Sequence, residues 1–287
     1  MKCYAGALAM TVLAMTNVVP AAAQSQPASP GSTPRLLLIY REEVKPGKAA
    51  AHAVNEAAWA AAYTKAQAAE RWLGMTTVAG PNEAWFLSGY ESYEAFERTQ
   101  NAMTADATLT AEGDRFSAAE GDLLSRTSTI LATYRADLSY QSQVTLPQMR
   151  YMQVQIVRVK PGHLDEFSDA WEMVVAAHGK AKMDERWAVY QVTAGMPTGT
   201  FMFFFPRKSL AEVDNNAAMH SAAAYRDAVG ESGRARLDEM NSTAIESDQW
   251  LVFRFAPNMS LLTKEWIDGD PAFWTPKPPP APVAKKK

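Results

Sequence analysis

The chain has 287 residues, room for about two domains of ordinary size, and 47% of them are hydrophobic against 21% charged. That balance is globular, and a formal net charge of −3 with no basic stripe argues against a nucleic-acid partner. The only cysteine is Cys3, so a chain processed beyond it has no disulfide, thiol nucleophile, iron–sulfur cluster or thiolate zinc site.

The N-terminus carries Lys2, an apolar run from Ala5 to Ala14, and the small residues Ala21-Ala22-Ala23. This is the pattern of a secretory signal peptide over residues 1–23, and it predicts a periplasmic or secreted protein. Its apolar run is short for a bilayer span, which needs about 20 residues, and no membrane span is expected once it is removed. Loss of Lys2 would move the formal charge from −3 to −4. Residues 24–34, rich in Ser, Pro and Gly, read as a flexible leader.

Leu36 to Tyr40 is a strand-like run that ends at Val44-Lys45-Pro46-Gly47. Met152 to Val157 is another, ending at Val159-Lys160-Pro161-Gly162, an offset of 115 residues. At the same offset Lys65-Ala66 recurs as Lys180-Ala181, Glu70-Arg71-Trp72 as Glu185-Arg186-Trp187, and Ala79-Gly80 as Ala194-Gly195. A constant spacing over so many identities marks a duplication, and its period is too long for a solenoid. The copies are two modules, 35–145 and 146–257, followed by a Pro-rich tail over 258–287.

Each copy repeats one order of elements. After the Pro-Gly turn comes a helix, near 48–69 and 164–183. A strand follows at 72–78 and 187–193, then a turn with Gly and Pro, then a strand at 84–87 and 200–205. A long helical stretch, broken into pieces, covers 93–124 and 210–240, and a last strand covers 129–135 and 250–255. The order is β-α-β-β-α-β, the ferredoxin-like unit, in an α+β chain. Phe201-Met202-Phe203-Phe204-Phe205 lacks polar alternation, so both faces of that strand should be buried. Helices can cover one face, and the sheet of the other copy can cover the other, which predicts an α+β barrel within one chain.

This tandem pattern resembles the dimeric α/β-barrel superfamily. That group includes antibiotic-biosynthesis monooxygenases, muconolactone isomerases, chlorite dismutases and NIPSNAP-like proteins. The resemblance spans nearly all of 36–255 and rests on topology and duplication, so it implies a fold far more than an activity. It implies a monomer, because two fused copies replace the usual dimer. Some members of the superfamily bind haem through a histidine, and His178 is the residue such a role would fall to. A carbonyl-satisfied histidine at a helix end is the alternative.

The first helices differ between the copies. Leu164, Phe167, Trp171, Val174 and His178 form one stripe in the second copy. The matched positions in the first copy are Ala49, His52, Glu56, Trp59 and Tyr63. His52 and Glu56 are four apart and share a helix face. If that face meets the sheet, they form a candidate catalytic pair, a carboxylate-held histidine acting as a general base, with Trp59 and Tyr63 as ligand-binding neighbours. A competing stripe of Ala50, Val54, Ala57 and Ala61 would instead turn the pair to solvent. Arg71 and Arg186, in the repeated Glu-Arg-Trp, are candidate ligands for an anion. The alternative is a copied structural ion pair with Trp packed over the arginine.

No metal site and no cofactor is expected. His163-Leu164-Asp165-Glu166 complements a helix start, His220 stands alone, and phosphate-loop and Gly-x-Ser-x-Gly motifs are absent. Two functions stay open: an exported protein of no assigned activity that binds a small apolar or aromatic molecule in the first module, the second being mainly structural, or a cofactor-independent oxygenase or isomerase acting on such a molecule.

Overall fold

The computed structural model describes residues 32–275; the segment read as a signal peptide lies outside them. Eight strands are present among these residues: β1 (Leu36–Val44), β2 (Leu73–Ala79), β3 (Glu83–Tyr90), β4 (Leu124–Tyr134), β5 (Tyr151–Val159), β6 (Ala188–Ala194), β7 (Thr200–Arg207) and β8 (Ile245–Phe255). They form one closed antiparallel barrel in the order β1-β3-β2-β8-β5-β7-β6-β4. Cut at β2/β8 and β4/β6, the ring yields two four-stranded sheets of identical ferredoxin-like order. The chain therefore has the dimeric α/β-barrel architecture with both halves in one polypeptide, and closure removes the unpaired edges that each half-sheet would expose.

The helices lie on the outside. In the first module these are α1 (Ala49–Lys65), α2 (Tyr93–Ala105) and α3 (Ala107–Leu123). In the second they are α4 (Leu164–Ala181), α5 (Ala211–Ser221) and α6 (Ala223–Thr243). The long helical stretch of the first module breaks at Asp106, whose side chain accepts from the amides of Thr108 and Leu109 and so caps α3. The repeated Pro-Gly turns have a backbone reason: Gly47 and Gly162 sit at φ +78° and +88°, which residues with a Cβ rarely adopt.

The duplication is legible in the register. β1 and β5 start 115 residues apart, at Leu36 and Tyr151, and so do β2 and β6, at Leu73 and Ala188. The spacing becomes 117 at Glu83 and Thr200 and 121 at Leu124 and Ile245, through small insertions in the second copy.

The two halves also trade segments. A 3₁₀ turn after β4, Ala136–Leu138, contacts α4 and β6 of the second module, and its counterpart after β8, Pro257–Met259, contacts α1 and β2 of the first. Trp72 donates its indole N–H to the carbonyl of Met259 at 2.8 Å, and Trp187 donates to that of Leu138 at 2.8 Å. The backbones pair likewise, Trp72 with Leu261 and Trp187 with Tyr140. These two tryptophans occupy equivalent places, as the repeat requires.

Alternation along the strands divides the core. Leu37, Ile39, Met75, Trp85, Val154, Met202 and Phe253 fill the barrel interior. Outside the second sheet, α4 and α6 cover Phe201, Phe203 and Phe205 with Phe167, Val174 and Met240. β7 is buried from Thr200 to Arg207, as its unbroken apolar run demands. The span read as the start of a tail folds back: α7 (Lys264–Asp268) and α8 (Pro271–Trp274) follow β8, and Trp274 is buried against the barrel core.

Candidate functional site

The first module departs from the second in its layer between helix and sheet. α1 turns His52 and Glu56 toward the sheet, where both are buried, while Val54 of the competing stripe is 71% exposed. The polar stripe faces inward because the sheet offers it a partner: Glu42 of β1, itself buried, points at the same face. His52 Nε2 lies 2.5 Å from Glu42 Oε2 and 3.7 Å from Glu56 Oε1. Glu120 of α3 closes the cluster. Its Oε1 accepts from the Trp59 indole at 2.7 Å and from Asn55 Nδ2 at 3.4 Å.

Four ionisable groups thus share a buried space, and among the described residues no lysine or arginine pairs with Glu42 or Glu56. Burial pushes both carboxyls up to about 8, with Glu120 adding to the rise at Glu42 and Glu42 adding to that at Glu56. Burial also raises Glu120, against the Trp59 hydrogen bond that lowers it. Burial depresses His52, while the charges of Glu56 and Glu120 act the other way. At neutral pH Glu42 and Glu56 therefore hold protons, and Glu42 hydrogen-bonds to His52 Nε2 across the 2.5 Å contact. Such a cluster can take up or give a proton near neutrality.

Trp59 and Tyr63 continue the inward face. Trp59 packs on Phe116 at 4.9 Å between ring centres, and Tyr63 on Trp72 at 5.2 Å. Sequence reasoning missed Glu42 and Glu120. Glu42 was findable, because the second copy has apolar Val157 at the matched position.

A cavity lies elsewhere, at the barrel end where β1, β2, β5 and β6 begin. It holds about 130 Å³ and is lined by Leu37, Leu73, Met152, Tyr190, Phe204 and Trp266, among others. The end of the leader and the linker between modules form its rim: Pro34 accepts from the Tyr190 hydroxyl at 3.0 Å, and Thr33 donates to the carbonyl of Ser142 at 3.3 Å. The opposite end of the barrel is plugged. Arg41 binds Glu83 at 2.9 Å and lies over Trp85, whose indole donates to Glu83 at 2.5 Å. None of Glu42, His52, Glu56 and Glu120 lines the cavity.

The repeated Glu-Arg-Trp does different work in each module. Arg71 lines the cavity, with its guanidinium donating to the carbonyls of Ala68 and Glu70. Arg186 pairs with Asp184 at 2.6 Å and does not line it. The structure does not place the two arginines on one ligand. Glu70 accepts from Tyr90, whereas Glu185 binds Arg207.

His178 donates to the carbonyl of Val174 across 2.8 Å, the satisfied arrangement expected of a helix-end histidine. Its other nitrogen is 3.1 Å from His220, and the ring is 1% exposed, so it offers no open face to a haem. His220 does not stand alone, as the sequence implied, because α5 delivers it to this point.

Neither a protein-family model nor a curated protein sequence matches the chain. Similar solved structures include a provisionally assigned monooxygenase from Lactobacillus acidophilus. It is 9% identical over 77% of this chain and 93% of that one, with a TM-score of 0.48. An anthrone oxidase-like protein is 12% identical over 79% and 93%, at 0.48. A chlorite dismutase from Candidatus Nitrospira defluvii is 8% identical over 83% and 96%, at 0.45. These figures bear on no activity, and the class of protein rests on the strand order and the duplication themselves.

Proposed function

We infer that this is an exported protein that binds a small apolar or aromatic molecule at the open end of its barrel. The cavity carries the inference. It is walled by aliphatic and aromatic side chains, and a void of about this size takes a single aromatic ring. Trp266 adds one polar demand: its indole N–H is buried and has no hydrogen-bond acceptor among the described residues. A ligand with a ring-sized apolar body and one carbonyl or ether oxygen suits that wall. Export rests on the N-terminal pattern of Lys2, apolar run and alanines, and a monomer on a barrel that needs no second chain to close.

Three tryptophans, Trp72, Trp187 and Trp266, line the cavity, so intrinsic fluorescence is a direct readout. Acetophenone should quench it saturably, and ethylbenzene, which lacks the acceptor, should bind more weakly. Ala188→Phe fills the wall from β6 and should abolish the response to both. Absence of saturable quenching, or binding untouched by Ala188→Phe, would remove this reading.

A second reading has its own observation, the buried Glu42–His52–Glu56 cluster. In an isomerase or cofactor-independent oxygenase, His52 would serve as general base once Glu42 and Glu56 are ionised, the two carboxylates then holding its tautomer and taking the proton onward. Its substrate would have to approach between α1 and the sheet.

A further inference from the structure

The second module holds a cluster of a different kind, assembled from three places in the chain. His178 comes from the last turn of α4, Glu185 from the loop entering β6, and His220 from the end of α5. Three atoms converge. His178 Nε2 and His220 Nε2 are 3.1 Å apart, His178 Nε2 and Glu185 Oε2 3.4 Å, and His220 Nε2 and Glu185 Oε2 3.1 Å.

Hydrogen bonds alone explain this triangle poorly. His178 donates its Nδ1 proton to Val174 O, so the neutral ring presents the Nε2 lone pair to the cluster. Glu185 Oε2 presents another. Whichever ring carries the proton, three atoms at these mutual distances cannot all be joined by linear hydrogen bonds, and a hydrogen bond weakens steeply away from linearity. One cation at the centre satisfies all three atoms. Ligands about 2.0–2.1 Å from a tetrahedral zinc ion lie about 3.3 Å from one another, close to the separations seen.

The surroundings are built to hold the ligands. Glu185 divides its oxygens: Oε1 is gripped by Arg207 at 3.1 Å, leaving Oε2 for the cluster. Arg207 is fixed in turn by Gln153 at 2.9 Å. His178 is locked by Val174 O and packed against Trp187, whose ring centre is 4.8 Å away. Carboxylate and carbonyl groups that orient ligands in this way are the usual second layer of a metal centre. The Glu42–His52–Glu56 group also brings three donors together, but its 2.5 Å and 3.7 Å spacings are those of one hydrogen bond and a looser neighbour.

We propose that His178, Glu185 and His220 bind one divalent first-row transition metal ion, with zinc or cobalt as fitting probes. Two imidazoles and one carboxylate leave at least one coordination position for water or a ligand. The ion would lie just behind Trp187, which also lines the barrel-mouth cavity. The proposal does not depend on what that cavity binds.

The test uses the full mature chain after chelator treatment. Zn(II) titrated calorimetrically should bind with one-to-one stoichiometry, and Co(II) should develop the visible bands of a low-symmetry nitrogen–oxygen site. His220 is the ligand to remove, because its side chain is 40% exposed and its loss leaves little void. His220→Ala should weaken Zn(II) by at least roughly 100-fold, with added imidazole restoring the cobalt spectrum, and Glu185→Gln should weaken it comparably. His52→Ala should leave both signals intact. Metal should raise the melting temperature of the parent chain and not that of His220→Ala. Failure of the parent chain to bind either ion saturably would overturn the site. So would affinity unchanged by His220→Ala, or affinity lost on His52→Ala.

Discussion

The two layers between helix and sheet descend from one sequence and now obey opposite rules. Under α4, Phe167, Trp171 and Val174 meet Phe201 and Phe203 in an apolar interior, and the polar residues gather at its edge. Under α1, the matched positions carry His52, Glu56 and Trp59, and the centre of the layer holds a protonated carboxyl cluster. The comparison teaches that a ferredoxin-like half-barrel tolerates either filling, because closure of the barrel supplies the common core on the other face. One layer was free to trade packing for ionisable groups.

The largest effect is expected on the apolar side. Phe203 is fully buried, 4.4 Å from Trp171 by ring centres. Phe203→Ala should cost about 3–5 kcal/mol of unfolding free energy in urea melts. A loss below about 1 kcal/mol would mean that the layer collapses around the void and is not close-packed.

A smaller effect is expected on the polar side. His52→Phe puts the second module's residue into the first and strands Glu42, which should cost about 1–3 kcal/mol. Adding Glu42→Val, so that both positions match Phe167 and Val157, should restore most of that loss or exceed the parent. A buried polar pair is often no better than the apolar residues that replace both members. Additive losses in this cycle would show that Glu42 and His52 are not coupled.

The smallest effect expected is in pH dependence. Glu42 and Glu56 titrate near 8 in the folded chain and ordinarily near 4.5. Their folded pKa is raised, so the native state binds more protons than the unfolded one between those values. Their stabilising contribution is complete below about pH 4.5 and is lost as pH rises through about 8. The depressed His52 acts in the opposite sense below its ordinary 6.5. The melting temperature should therefore fall between pH 6.5 and 8.5, and Glu42→Gln, which cannot titrate, should flatten that fall. An unchanged slope in Glu42→Gln would place the titration elsewhere.

The sequence by itself determined the repeat, the β-α-β-β-α-β order and the buried Phe201–Phe205 strand. These are encoded locally, in turn residues and in the spacing of apolar side chains along one element. It also singled out His52 and Glu56, because the copies could be compared position by position. It did not determine which way α1 turns. That helix has alanines on several faces, so periodicity alone cannot orient it, and the decision belongs to Glu42 across the layer. Nor could spacing reveal the meeting of His178, Glu185 and His220, which no regular period relates. The cavity was equally invisible, since its walls come from six of the eight strands at one end of the barrel and from the leader, the linker and the segment after β8. Tertiary structure decided these points because each depends on contacts between segments far apart in the chain, made only when the second half-sheet closes the barrel on the first.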